Sequence, residues 1–174
     1  RTIIKEVDSL RNLVDEFSRF EKMPEIHRSP TILADIIDEV VNLYRDYKGL
    51  SVRVLLPEDM PRIDMDGEQF KRVLINLFEN AIQAMHGEGT IEVTVHLNVS
   101  SNRVFMDVAD NGPGIREEDK EKLFLPYFST KREGTGLGLA IAHRIVKEHM
   151  GYLRVRDNEP RGTVFGIEMP IKEE

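Results

Sequence analysis

The 174-residue sequence contains no cysteine, and its positive charges are outnumbered by its negative ones. Without cysteine the chain can form no disulfide, no thiolate zinc site and no cysteine nucleophile. The 24 Lys and Arg residues against 31 Asp and Glu residues give a net charge of −7, which argues against nucleic acid as a partner. No run of about 18 apolar residues and no signal-peptide pattern occurs, so any membrane connection is expected only through segments upstream of this sequence.

The first residues carry a heptad pattern. Apolar side chains four and three positions apart form one stripe, made of Ile3, Val7, Leu10, Val14 and Phe17. This spacing predicts a helix that meets a partner helix, although fewer than three heptads also allow a helix packed on its own domain. Because the pattern begins at Arg1, we expect the helix to continue upstream in a longer protein. Two prolines in 23–30 then predict a linker.

From residue 31 onward the sequence alternates between helical and strand patterns. Apolar residues three and four apart predict helices at 31–47, 66–85 and 136–150. Alternating and β-branched runs predict strands at 51–56, 90–99, 103–109, 152–156 and 163–169. Asp66 is placed to cap the second helix, and Gly151 to end the third. Together these elements predict an α+β sandwich, in which a mixed, mostly antiparallel sheet carries helices on one face.

Two amides on the second predicted helix form the first cluster of possible functional residues. Asn76 and Asn80 are four residues apart, so they lie on one helix face beside the apolar stripe. An amide carbonyl is a suitable oxygen ligand for Mg²⁺, which is often shared with phosphates. Taken alone, the pair is also compatible with ordinary surface or capping asparagines.

Two glycine-containing segments follow. The first is Asp110-Asn111-Gly112-Pro113-Gly114-Ile115, directly after a strand, where Asp110 can accept a hydrogen bond from an exocyclic amine, although an ordinary turn has the same sequence. The second is Gly134-Thr135-Gly136-Leu137-Gly138-Leu139, which opens a helix and presents backbone N–H groups suited to phosphate, although close helix packing also selects glycine. Between them, 124–133 is expected to be a mobile flap, with Phe124 and Phe128 anchored in the core.

In this order the clusters resemble the nucleotide-binding (Bergerat) fold of the gyrase, Hsp90, histidine kinase and MutL superfamily, and most closely the catalytic, ATP-binding domain of bacterial sensor histidine kinases. Residues 76–81 match the N box of that family, 110–115 its G1 box and 134–139 its G2 box. Residues 124–128 look like its F box and 162–165 like its G3 segment. Residues 16–20 together with Met23-Pro24 are most similar to the nitrogen-regulation branch.

The resemblance implies ATP or ADP and Mg²⁺ as cofactors. Asp110 is expected to accept from the adenine amino group, with Thr163 supporting the adenine pocket. Asn80 is expected to hold Mg²⁺, with Asn76 near the metal or the phosphates; Asn76, Asn80 and Lys131 form the implied catalytic set. The other positions carried over to nucleotide contact are Gln83, Ala84, Gly112, Gly114, Ile115, Tyr127, Ser129, Thr130, Gly134, Thr135, Gly136, Leu137, Gly138 and Leu139.

Three positions depart from patterns in the superfamily. Gln83 and Ala84 stand where many family members carry a lysine and an aromatic ring, so the phosphate contact and ring stacking of those side chains are not carried over. ATP-hydrolysing members place a glutamate general base four residues before the metal-binding asparagine, where this chain has Asn76. Glu79 lies one residue before Asn80, about 100° away around the helix. Because an amide cannot act as a general base, transfer to a partner group is expected rather than hydrolysis.

None of the five histidines has the sequence context of a phosphate acceptor; they are His27, His86, His96, His143 and His149. The acceptor histidine is therefore expected upstream. Residues 1–22 would be the second helix of a dimerisation hairpin, 23–30 a linker and 31–174 the catalytic ATP-binding domain. The implied partners are a response-regulator receiver domain and, through the hairpin, a second copy of the parent. The implied location is the cytoplasm, including the cytoplasmic portion of an inner-membrane sensor.

Two other functions stay open at this point. One is a serine kinase of the anti-sigma or dehydrogenase-kinase type, which Asn76 and the missing acceptor helix disfavour. The other is a non-catalytic sensor of adenine nucleotides, which the complete set of glycine motifs disfavours. Phosphorylation of serine substrates and of an added acceptor hairpin would separate the three.

Overall fold

The computed structural model describes residues 25–129 and 135–172, together with Val7, Val14 and Ser18. Its elements along the chain are β1 (Ser29–Ile32), α1 (Leu33–Leu43), β2 (Leu50–Leu55), β3 (Arg62–Met65), α2 (Gly67–Ala84), β4 (Gly89–Asn98), β5 (Arg103–Asp110), α3 (Glu117–Lys120), α4 (Gly138–Glu148), β6 (Tyr152–Asp157) and β7 (Thr163–Pro170). Among these elements, no helix is long and apolar enough to cross a lipid bilayer.

Five strands form the main sheet, in the order β2-β4-β5-β7-β6. β2 runs parallel to β4, and the other neighbours are antiparallel. β1 and β3 form a separate antiparallel pair, in which Ser29 faces Met65 and Ile32 faces Arg62. The mixed, mostly antiparallel sheet predicted from the sequence is therefore confirmed.

The core lies between one face of the main sheet and the helices. Along β5 and β7 alternate side chains are buried, as the period of a strand requires when one face is covered. Phe70 and Phe78 of α2 and Phe165 of β7 are among the largest fully buried side chains. The opposite face of the sheet carries ion pairs such as Arg103–Glu168. The sheet therefore buries one side and leaves the other to charged residues.

α2 runs through the middle of this core and begins where the sequence predicts. The side chain of Asp66 accepts a hydrogen bond from the backbone N–H of Gln69, so it caps the helix. The helix ends at Ala84, and His86 follows with φ of +57°. The N–H of Gly87 then bonds to the carbonyl of Ile82, which closes the helix end. Both boundaries matter for the site, because the two predicted amides lie on this helix.

The other two predicted helices are shorter in the structure. Residues 31–32, predicted as helix, belong to β1 because they pair with β3, and α1 ends at Leu43 rather than residue 47. α4 starts at Gly138 rather than at Gly136, because Gly136 has φ of +69° and cannot join a right-handed helix. The left-handed residue that ends α4 is Met150, with φ of +57°, and not Gly151, whose N–H bonds to the carbonyl of Val146.

Three of the five residues of the heptad stripe lie outside the described residues. Val7 and Val14 are helical, and they expose 57% and 61% of their surface. Ile3, Leu10 and Phe17 fall outside the described part of the chain. So do residue 16 and residues 19–24, which carry the similarity to the nitrogen-regulation branch. The predicted hairpin helix, linker and domain boundaries therefore stay predictions.

Candidate functional site

Asn76 lies where α2 meets the start of α4. A Cβ built on Gly138 would lie 3.3 Å from Oδ1 of Asn76, so the glycine allows the two helices to approach closely. The side-chain nitrogen Nδ2 of Asn76 is buried and has no hydrogen-bond partner among the described residues. A buried amide donor without a partner is costly, and such groups are rare in folded proteins. This nitrogen is therefore suited to donate to a ligand that enters beside the glycine segment.

The rest of the polar face continues along α2. Asn80 is half-buried, Gln83 is exposed, and Ala84 is half-buried at the last turn. Ala84 lies about 12 Å further along the helix than Asn76, since eight residues rise about 1.5 Å each. The charge of Glu79 adds to burial in raising the pKa of Tyr44, the residue directly after α1, to about 12. Glu79 therefore lies close enough to Tyr44 for its charge to act on that hydroxyl group.

Asp110 ends β5 with a buried carboxylate that is 3% exposed. Its Oδ1 accepts a hydrogen bond of 2.8 Å from the N–H of Gly112, the bond of an ordinary Asx turn. The same oxygen accepts from the N–H of Thr163, 53 residues later, at 3.3 Å. Thr163 is itself buried, with 4% of its surface exposed. The structure therefore contains the turn that the sequence allows, and the role of Asp110 as an acceptor for an exocyclic amine stays a prediction.

Glycines bring the backbone close to this carboxylate. A Cβ on Gly112 would lie 2.8 Å from Oδ1 of Asp110 and 3.7 Å from the Cβ of Ala84, so Gly112 sits between the carboxylate and the end of α2. Gly114 has φ of +83°, and a Cβ there would lie 3.4 Å from the carbonyl oxygen of Gly162. These contacts bring Ala84, Gly112, Gly114 and Thr163 together around Asp110.

The turn between β6 and β7 supplies two residues that the sequence did not single out. Nδ2 of Asn158 donates to the carbonyl oxygen of Asp110 at 2.8 Å, and Nε of Arg161 donates to that of Gly112 at 2.8 Å. Arg161 also borders two cavities. One, of about 150 Å³, is lined in part by Ala84 and Gly112; the other, of about 400 Å³, lies beside Gly114. A hairpin turn is all that the sequence indicated at 158–162.

The glycine segment packs on the segment predicted as a flap. The N–H of Tyr127 donates to the carbonyl of Gly136 at 3.0 Å. A Cβ on Gly136 would lie 2.6 Å from the backbone of Tyr127, so only glycine fits there. Oγ1 of Thr135 accepts from the N–H of Leu137, which is fully buried. This part of the segment is therefore fixed by backbone contacts.

Phe124 and Phe128 pack against the core, as predicted. The ring of Phe124 stacks on His143 at 5.0 Å between centroids and meets Phe165 edge to face. Burial, together with the charge of Lys147, lowers the pKa of His143. His143 therefore has a packing role, which agrees with its exclusion as a phosphate acceptor.

The remaining predicted contacts fall into two groups. Ile115 and Leu139 are half-buried at the edge of the core, and Ser129 is exposed. Thr130, Lys131 and Gly134 lie outside the described residues. The described part of the site thus has a buried carboxylate beside the C-terminal end of α2 and a buried amide donor near the middle of that helix. It suits an elongated ligand that carries N–H donors at one end and anionic groups at the other.

Comparisons with known proteins point to one family. A family model described as histidine kinase-, DNA gyrase B-, and HSP90-like ATPase matches residues 65–173. The sensor histidine kinase ZraS of Salmonella typhimurium is 35% identical over 98% of this chain. The match spans only 37% of the length of ZraS, so this chain corresponds to about a third of that relative.

Solved structures agree with the sequence comparison. Full-length ShkA in complex with AMPPNP superposes with a TM-score of 0.83 and 25% identity, over 97% of this chain and 37% of ShkA. The histidine kinase ThkA in complex with the response regulator TrrA gives a TM-score of 0.81 and 31% identity, over 98% of this chain and 49% of ThkA. The α+β sandwich expected from the motifs is therefore confirmed as the fold shared with these kinases.

Proposed function

Because the chain belongs to the histidine kinase-, DNA gyrase B- and HSP90-like ATPase family, and within it to the sensor histidine kinases, we propose that it binds Mg²⁺–ATP and transfers the γ-phosphoryl group to a histidine of an upstream helix. The observation that carries the proposal is the buried carboxylate of Asp110. Two backbone N–H groups orient it, and it sits beside the buried Thr163. A carboxylate held in this way selects a base with an amino group, as in adenine, over a base with a carbonyl at that position.

The opposite end of the site fits a phosphate chain. The buried Nδ2 of Asn76 is a hydrogen-bond donor with no partner among the described residues, and a phosphate oxygen would satisfy it. The side-chain carbonyl of Asn80, one turn later, is of the kind that holds Mg²⁺. When bound, the metal neutralises charge on the phosphates. The protein orients ATP and its acceptor, which is most of what phosphoryl transfer requires.

Hydrolysis is disfavoured by the same residues. Asn76 occupies the position of a general base but offers an amide, which cannot take a proton from water at neutral pH. The charge of Glu79 acts on Tyr44, and Glu79 lies about 100° around the helix from Asn80. With no base in either position, water is poorly activated, and the γ-phosphoryl group is kept for the histidine acceptor.

The wider assembly belongs to the same proposal. The complex of ThkA with the response regulator TrrA supports a receiver domain as the partner that accepts the phosphoryl group on an aspartate. A second copy of the parent would join through the hairpin that includes residues 1–22. The module would work in the cytoplasm, where ATP is abundant, with Lys131 of the flap near the β- and γ-phosphates.

Calorimetric titration with ATP and GTP, with and without Mg²⁺, tests the proposal. We expect ATP to bind more tightly than GTP and Mg²⁺ to strengthen binding. Asp110→Asn keeps an oxygen for the N–H groups of Gly112 and Thr163 but places an NH₂ where the adenine amine needs an acceptor. Loss of a hydrogen bond to a charged group should weaken ATP binding about 10- to 100-fold.

The matched control is Asp107→Asn, on the same strand but on the opposite face, where Asp107 pairs with Arg156. This variant should bind ATP like the unchanged protein. Absence of ATP binding by the unchanged protein, or equal affinity for ATP and GTP, would contradict the proposed function. An equal loss in both variants would show that Asp110 has no special place in the site.

A further inference from the structure

The turn between β6 and β7 is bonded to the loop that follows β5 at more than one point. Nδ2 of Asn158 holds the carbonyl oxygen of Asp110, and Nε of Arg161 holds the carbonyl oxygen of Gly112, both at 2.8 Å. The N–H of Asn158 donates to the carbonyl of Gly162 at 3.0 Å, which closes the turn. The two side chains therefore project from a fixed turn onto the backbone that presents Asp110.

Gly112 is the residue in this loop that most needs an external restraint. Its N–H orients the carboxylate of Asp110, and a Cβ at this position would lie 2.8 Å from Oδ1 of that carboxylate. A larger residue at this position would displace that carboxylate, so glycine suits it. Glycine, however, has the widest choice of backbone angles, so on its own it fixes the direction of its N–H poorly. Arg161 holds Gly112 from its other side, through the carbonyl oxygen.

We propose that Arg161 is a positioning residue for base recognition: by holding the carbonyl of Gly112, it fixes the N–H that aims the carboxylate of Asp110. This inference deepens the proposed function and rests on it. Arg161 is well placed for the role because it borders the cavities on both sides of the loop. Its effect reaches the nucleotide through Asp110, so it should act on selectivity for the base.

The alternative role for an exposed arginine near a nucleotide site is attraction of the phosphates by its charge. The two roles are separated by conservative substitutions. The Gln side chain carries its nitrogen after three carbons, as Arg carries Nε, so Arg161→Gln keeps a donor for Gly112 and removes the charge. Arg161→Lys keeps the charge but places a flexible ammonium one atom further out. Arg161→Met removes both donor and charge.

The experiment measures the Kd of the complete chain for ATP and for GTP in each variant. Arg161→Met should lower the preference for ATP over GTP about three- to tenfold, the size expected for the loss of one hydrogen bond. Arg161→Gln should recover most of that preference, and Arg161→Lys should recover less. A role in charge attraction would weaken ATP and GTP equally and would be rescued by Lys rather than Gln, and that pattern would overturn the inference.

Arg62→Met is the matched control, because Arg62 is an exposed arginine that donates to a backbone carbonyl, that of Pro30, in the β1–β3 pair. It should leave the ATP preference unchanged. Thermal unfolding of each variant separates a loss of fold from a loss of selectivity, since unfolded protein lowers apparent affinity for both nucleotides alike. If the unchanged chain prefers ATP and Arg161→Met retains that preference, the inference fails and the proposed function stands. If the unchanged chain binds no ATP, both fail.

Discussion

At the scale of single residues, Gly162 carries the tightest steric constraint in the site. Its φ is +122°, and a Cβ would lie 1.9 Å from the carbonyl oxygen of Asp110. We therefore expect Gly162→Ala to combine backbone strain of about 1–2 kcal/mol with overpacking of about 1–3 kcal/mol. Chemical denaturation should show the lower stability, and calorimetry should show weaker ATP binding, because Asp110 must move.

Gly87→Ala is the control for backbone strain alone. Gly87 has φ of +87°, but a Cβ there would meet only the side chain of Tyr47, at 3.4 Å. This variant should lose about 1–2 kcal/mol and keep its affinity for ATP. Equal losses of stability in the two variants would show that the contact between Gly162 and Asp110 relaxes without cost.

The residues that could be predicted from the sequence are those whose type and spacing carry the chemistry. Asp110 was found because an acidic residue follows an apolar strand and precedes glycines, and Asn76 because it shares a helix face with Asn80. Arg161 and Asn158 could not be found in this way. Asn158 contacts Asp110, which is 48 positions earlier in the chain, and Arg161 contacts Gly112, which is 49 positions earlier. Only the pairing of β5 with β7 brings these residues near one another.

At the scale of elements, His149 joins the end of α4 to the start of α2. Its Nδ1–H donates to the carbonyl of Ile145 at 2.8 Å, and its Nε2 accepts from the N–H of Asp66 at 2.9 Å. The second bond requires the neutral ring, because a protonated Nε2 cannot accept a hydrogen bond. Burial is the main cause that lowers the pKa of His149, and the charge of Arg28 lowers it further. The hydrogen bond to Ile145 and, less strongly, the charges of Asp66 and Glu148 oppose this shift without reversing it.

This arrangement predicts a dependence of stability on pH. The folded state binds a proton to His149 less readily than the unfolded chain, whose histidine titrates near 6.5. The stabilising effect is therefore complete above pH 6.5, and it is lost as the pH falls from 6.5 through the lower folded value. Thermal unfolding between pH 5 and pH 8 should show the unfolding temperature falling on the acid side.

His149→Gln is the matched variant, since its amide oxygen can accept from Asp66 and does not titrate in this range. It should be less stable than the unchanged protein at pH 8, and the difference should shrink towards pH 5. Parallel pH profiles of the two proteins would show that His149 does not contribute to the acid sensitivity.

The elements differ in how far local sequence determines them. α2 was predicted almost to the residue because it has a capping Asp66, a long apolar period and a glycine after its end. β1 and β3 were missed, because each has four residues and depends on pairing with the other. The ends of α4 were misjudged because positive φ at Gly136 and Met150 depends on tertiary contacts that periodicity does not reveal.

At the scale of the whole molecule, the proposed activity is transfer of phosphate to another polypeptide segment. Asp110 lies at the end of the central strand β5, and Asn76 lies near the start of α4, so the site runs along α2 from one to the other. Within the described residues, His143 and His149 are engaged in packing or in bonds between helices. Neither histidine is placed as an acceptor, and Asn76 cannot activate water.

The chain incubated with γ-labelled ATP and a separate histidine-bearing helical hairpin of the sensor-kinase type should therefore label the hairpin and not itself. The label should be acid-labile, as expected for a phosphorus–nitrogen bond, and free phosphate should accumulate slowly. Asn80→Ala should abolish transfer by removing the proposed metal ligand. Asn42→Ala, which removes an exposed amide of α1 bonded to Arg45, should transfer normally. Label on the chain's own histidines, acid-stable label on serine, or release of phosphate faster than transfer would each contradict the proposed histidine-directed activity, because each requires a base or an acceptor that the site does not present.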